Sequence, residues 1–187
     1  MIDKILFSSL IILHSFSLIN CQVNNNSLLE RYKFNDSSNQ RYSLDESLNE
    51  ISGLADAGHN FVYAHNDEKG IIFKIELTTG KIVLQFSLGE DNLFKDFEGI
   101  ACVNDTIYLT TSNGTLYRFK EGENNQSVKY EEIKPGLKQG NDIEGLCYDS
   151  EKHSLLLACK NVTKRKKDNT NFKKNLIYQR TLDQWRP

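Results

Sequence analysis

Alternation with a period of two runs through the middle of the chain. Phe73, Ile75 and Leu77 alternate with Ile72, Lys74 and Glu76, and Ile82, Leu84, Phe86 and Leu88 alternate with Val83, Gln85 and Ser87. Successive side chains of a strand point to opposite faces, whereas a helix repeats every 3.6 residues, so these runs are predicted strands. Further short apolar runs follow the same habit: FVYAHN, TIYLTT, TLYRFKE, VKYEEIK, LLLACK and NLIYQRTL. Between the runs stand Gly58 and Asn60, Asp67 with Gly70, Thr79 and Gly80, and Asn104 and Asp105, residue types that end strands by tolerating left-handed backbone or bonding to it locally. Asn113-Gly114 predicts a two-residue hairpin, because a primed turn needs positive φ at both central positions.

One phrase recurs along this pattern. LNEISGLAD (48–56), KDFEGIACV (95–103) and NDIEGLCYD (141–149) place Gly53, Gly99 and Gly145 46 residues apart both times. A fixed period of this length marks a repeated supersecondary unit, and the alternation excludes a helical array. Each unit reads as up to four antiparallel strands, which is the blade of a β-propeller. The expected fold is therefore all-β: a partial β-propeller of about three four-stranded blades from a six-bladed ring. The repeated glycine suits a crowded axis, where the first strands of successive blades converge and a side chain would collide. A six-bladed ring of such units needs roughly 280 residues, against 187 here. The expectation is a truncated product of a longer reading frame, or copies that associate through open blade edges.

NEISGL, KDFEGIA and NDIEGLCYD resemble the corresponding phrases of the SdiA-regulated (YjiK-like) propellers, over residues 44 to 185. That group is related more distantly to esterase-like phytase propellers and to the gluconolactonase group. The resemblance implies a propeller of the bacterial cell envelope, with calcium involved in some relatives and no generally assigned reaction.

The N-terminus adds a location. Lys4, the uncharged apolar stretch Ile5 to Leu13, and Ser15 and Ser17 read as an export signal over residues 1–20. Leu18, Ile19, Asn20 and Cys21 resemble a lipobox, with Cys21 as the lipidated residue, although Asn20 stands where Gly, Ala or Ser is usual. The expected protein is a membrane-anchored, extracytoplasmic lipoprotein; an ordinary secretory signal with an incidental cysteine is the alternative. Residues 21–43 have the composition of a tether, with a possible strand in LLERYKF, and residues 44–187 form the incomplete propeller domain. Three cysteines remain, Cys102, Cys147 and Cys159, without metal-ligand spacing. Buried, inert thiols are expected, with a Cys147–Cys159 disulfide as the alternative.

The net charge of −2 carries no nucleic-acid footprint, and the basic run Lys164 to Lys174 reads as a solvated loop. The candidate chemistry lies in the repeated phrase. Asp96 and Glu98, Asp142 and Glu144, and Glu50 in the first unit would gather carboxylates at the starts of adjacent strands. Such hard oxygen donors suit Ca²⁺. The competing reading makes Glu98 and Glu144 structural, accepting hydrogen bonds from backbone amides of the neighbouring blade. His65 and Asp67 are weaker ligand-binding candidates at a mouth. No nucleophile elbow, phosphate loop or dinucleotide fingerprint occurs. The expected function is a non-catalytic envelope module that binds a ligand, a partner or calcium. The alternative is a metal-dependent hydrolase of the phytase-like esterase or lactonase kind, inactive in a chain holding only part of a ring.

Overall fold

The computed structural model describes residues 40–91, 93–137, 141–160 and 176–182, with Leu176, Tyr178 and Arg180 by backbone alone. The predicted signal, Cys21, the LLERYKF strand and the basic run lie outside the described residues. Contacts divide the chain into two units, Met1–Arg41 and Tyr42–Pro187, and every element below belongs to the second.

The chain is all-β, as the alternation requires. A short 3-10 turn, Glu46–Leu48, leads into β1 (Ile51–Gly58), β2 (Phe61–Asn66), β3 (Ile71–Glu76) and β4 (Ile82–Leu88). These four pair antiparallel in chain order. A second sheet follows from β5 (Phe97–Val103), β6 (Thr106–Thr111) and β7 (Leu116–Lys120). The predicted strand VKYEEIK splits: β8 (Ser127–Val128) pairs parallel with β4 of the first sheet, and β9 (Glu131–Ile133) closes the second. Lys129 and Tyr130 carry the chain between the two edges, so one alternating run serves two sheets. The third sheet holds β10 (Ile143–Asp149), β11 (Ser154–Cys159) and β12 (Leu176–Thr181).

Turn chemistry fits with one exception. His59 and Asn60, at φ 48° and 74°, form the two-residue turn between β1 and β2, with positive φ at both positions. At Asn113-Gly114 only the glycine has positive φ, 83°. The connection runs through four residues, because Asn113 Oδ1 accepts from the Thr115 amide at 3.0 Å and closes the turn with a side chain.

Two cores lie between the three sheets. Ala55, Tyr63, Ile72 and Phe86 of the first sheet pack against Phe97, Ile100, Leu109 and Phe119 of the second. Ala101, Val103, Tyr108 and Leu116 on its other face pack against Ile143, Leu155 and Leu157 of the third. The remaining face of the first sheet is partly covered by Leu48, against Ala64, Phe73 and Ile75.

The repeat is physical as well as sequential. Strands β1, β5 and β10 lie side by side, and each carries a register irregularity just before its glycine, between Ile51 and Gly53, Phe97 and Gly99, and Ile143 and Gly145. One series of backbone bonds runs along this end. The Asp67 amide donates to Glu50 O (3.0 Å), Phe97 to Asp67 O (2.6 Å), Ser112 to Asp96 O (2.9 Å), Ile143 to Ser112 O (2.8 Å) and Lys160 to Asp142 O (2.7 Å). Asp67 and Ser112 thus each give an amide to their own sheet's first strand and a carbonyl to the next sheet's.

The glycines explain the spacing. A Cβ on Gly99 would stand 2.5 Å from the Leu146 nitrogen and 3.0 Å from the Gly145 carbonyl carbon. One on Gly53 would meet His65 Nε2 at 2.7 Å and Gly99 Cα at 3.5 Å. Neither glycine has positive φ: at Gly99 the backbone of β10 leaves no room for a side chain, and at Gly53 the His65 ring of its own sheet fills that room. Among the described residues no helix is long and apolar enough to cross a membrane.

Candidate cation-binding site

Three irregularities at one end of β1, β5 and β10 leave Ser52, Glu98 and Glu144 as the inserted residues. A bulge bends the strand and re-aims the extra side chain, so Glu98 and Glu144 leave the ordinary in-out alternation of their strands. The result is a cluster of carboxylates shared by the second and third sheets. Glu98 feels Asp96, Glu144 and Asp142, and it shares a side-chain hydrogen bond with Asp96. Burial first, then these like charges, push the Glu98 carboxyl up to about 7. Near neutral pH it therefore retains a proton that an ordinary carboxyl has lost, and the protonated form donates to Asp96.

One cation is already present. Lys160 Nζ lies 2.7 Å from Glu144 Oε1 and 3.8 Å from Asp142 Oδ2, and the Glu144 contact holds its own proton more tightly than usual. The fold places it there through the bond from its amide to Asp142 O. Sequence reasoning missed Lys160; the available signal was its place at the end of LLLACK, the position matching Asp67 and Ser112 in the repeat.

The predicted residues therefore divide. Asp96, Glu98, Asp142 and Glu144 come together. Glu50 is exposed and accepts from Asn66 Nδ2 at 3.4 Å. Among the described residues no three or more His, Cys, Asp or Glu side chains form a ready-made metal-holding group. The described bonds of Glu98 and Glu144 run to Asp96 and Lys160, not to backbone amides of the neighbouring sheet.

His65 is fully buried, not spread along a solvated mouth. Its Nδ1 lies 3.0 Å from Asn66 O, which can only accept, so that nitrogen carries the proton. Nε2 faces Gly53 and, among the described residues, has no hydrogen-bond partner, nor does the buried Oδ1 of Asp67 two residues on. Burial lowers the His65 pKa, keeping the ring neutral.

Two features escaped the sequence reading. Tyr63 Oη donates to Glu121 Oε2, which also accepts from Lys74 Nζ at 2.7 Å, while Lys74 lies 5.4 Å and 5.5 Å from the ring centres of Phe61 and Tyr63. This network ties the first sheet to the segment after β7. The second feature is a hollow of about 620 Å³ along β1, β5 and β10, bordered by Leu54, Asp56, Cys102, Asn104, Leu146 and Cys147. It depends on how the strands lie side by side, which no local pattern encodes. The three cysteines among the described residues are free: Cys159 is buried and Cys102 half-buried, but Cys147 is exposed.

No family model matches the sequence, and no curated protein matches it. Among solved structures, the chain is similar to Hsv2 of Kluyvelomyces marxianus at 14% identity and a TM-score of 0.38, covering 66% of this chain and 46% of that one. It is also similar to the computationally designed Ika4 protein at 9% identity and a TM-score of 0.38, covering 75% of this chain and 98% of that one.

Proposed function

We propose that this chain is a non-catalytic, membrane-anchored module of the bacterial cell envelope, a partial β-propeller related to the SdiA-regulated group, that binds Ca²⁺ at the acidic end of its first strands. In this reading the three sheets are three blades of a six-bladed ring, and Cys21 carries the lipid. The observation that carries the reading is the crowding of Asp96, Glu98, Asp142 and Glu144, whose like charges add to burial in pushing the Glu98 carboxyl up to about 7. A divalent cation relieves that repulsion, and Ca²⁺ accepts several oxygen donors in loose geometry. Those four side chains would hold it, and the Lys160 ammonium, which now neutralises two of them, would swing out. Ca²⁺ supplies charge and no redox chemistry. The chain's own part is to present the oxygens and to release the Glu98 proton as the metal enters.

Isothermal titration at pH 7 in two buffers of different ionisation heat tests this. The expected result is a Kd on the order of 10⁻⁴ to 10⁻³ M, as for extracellular calcium modules, with a fraction of a proton released per ion. Glu98→Gln abolishes the proton release, and Lys160→Met tightens binding by removing the competing cation. Absence of heat and of any melting shift at millimolar Ca²⁺ defeats the proposal. Ca²⁺-dependent turnover of phosphomonoesters or lactones, lost in Glu144→Ala, would replace it with the hydrolase reading.

A further inference from the structure

Among the described residues nothing requires position 145 to be glycine. Its φ is not positive, and among those residues a Cβ added to it meets Ala158 Cβ at 3.7 Å, an ordinary contact. At Gly99 an added Cβ strikes the Leu146 nitrogen of the next sheet at 2.5 Å, and at Gly53 it strikes His65 Nε2 of its own sheet at 2.7 Å, with Gly99 Cα of the next sheet at 3.5 Å. The face around Gly145 repeats the same contrast. Strand register makes Ile177 the counterpart of Leu116 and of Ile72. Those two are fully buried against the next sheet, whereas Ile177 is 70% exposed. Cys147, the counterpart of Ala101, is exposed as well.

The opposite end of the stack lacks the complementary half. Leu54, Ile100 and Leu146 each follow the repeat glycine. Ile100 is 2% exposed under the first sheet, but Leu54 is 61% exposed. A Cβ on Gly99 aims at Leu146, so the partner that Gly145 awaits is a residue of that class on another first strand. Leu48 covers the middle of that face of the first sheet, over Ala64 and Phe73, and leaves the Leu54 strip beside the hollow open. Among the described residues the backbone series along the acidic end stops at the carbonyl of Lys160 and the amide of Ile51, the counterpart of Phe97 and Ile143.

The geometry points to a second copy of this chain as the occupant: the third sheet of each copy, at Gly145, abuts the first sheet of the other, at Leu54. The contact is head-to-tail, and made twice it closes a two-fold ring with no free face. This rests on the blade reading above. A pair that ignores Ca²⁺ removes only the cation proposal, and a Ca²⁺-binding monomer removes only the pairing.

Sedimentation velocity at micromolar concentration on the full chain carrying Cys21→Ser, so that no lipid is attached, reads the outcome. The expected mass is twice that of the chain. Gly145→Val and Leu54→Arg each drop it to the single-chain value with an unchanged circular dichroism spectrum, since both sites are open within one chain. Should the valine variant not fold, Gly145→Ala takes its place and weakens the pair. An equimolar mixture of the two variants regains the double mass, because one sound junction remains between unlike partners. A wild-type monomer overturns the inference. So does a dimer that Leu54→Arg leaves intact, since the third sheet would then meet something else.

Discussion

The repeated phrase works through single atoms. At Gly99 there is no room for a methyl group, because the Leu146 nitrogen lies 2.5 Å from where it would stand and backbone cannot step aside cheaply. Gly99→Ala is expected to destabilise the chain by ~1–3 kcal/mol in urea unfolding, the usual cost of overpacking. Gly53→Ala presses on His65 Nε2, a side-chain atom that can yield, and should cost less. Glu98 gives a pH signature. Its folded pKa, about 7, lies above the ordinary 4.5, so folding favours the protonated form. That contribution is fully present below pH 4.5 and is lost as pH rises through about 7. Glu98→Gln should therefore raise the melting temperature at pH 8, leave it unchanged at pH 4, and flatten the slope between. The gain stays below ~1 kcal/mol, because solvent screens a partly exposed carboxyl. His65 acts in the opposite sense: its lowered pKa gives stability above the ordinary 6.5 that is lost as pH falls. The glycine and glutamate positions were legible from recurrence alone. The bulges at Glu98 and Glu144 were not, since a bulge depends on what the partner strand does.

Among the elements, the strands were legible wherever one face is buried and the other is not. Such a face imposes the alternation, which β4 shows in buried Phe86 and Leu88 against exposed Val83, whereas in β3 Ile72 and Phe73 are buried on opposite faces and the alternation holds only over Phe73, Lys74 and Ile75. VKYEEIK defeated the same logic because its two halves answer to different sheets, Val128 at the edge of the first and Ile133 at the edge of the second. The stitch between sheets is a testable element. Leu109 is fully buried where the first two sheets meet, and Leu109→Ala should cost ~2–5 kcal/mol for the lost contacts and the cavity. The Tyr63–Glu121–Lys74 network crosses the same junction. Burial, then Glu121, raises the Tyr63 phenol well above its usual range, so it stays protonated and donating. Lys74 and Glu121 were invisible to pattern reading because each looks like any surface charge until the junction forms.

At the scale of the molecule, the third sheet repeats a face that the first two bury, and the acidic cluster shared by the second and third sheets carries Lys160 on Asp142 and Glu144. The ring of sheets proposed above would account for that open face and for the hollow beside β1, β5 and β10. That account stands on the three first strands meeting at their glycines. The direct measurement is a nuclear Overhauser spectrum of labelled protein. Cross-peaks between the Gly53 and Gly99 α-protons, and from the Gly99 α-protons to the Leu146 amide, are the predicted result. Their absence, with the strand pairings within each sheet still observed, would contradict it.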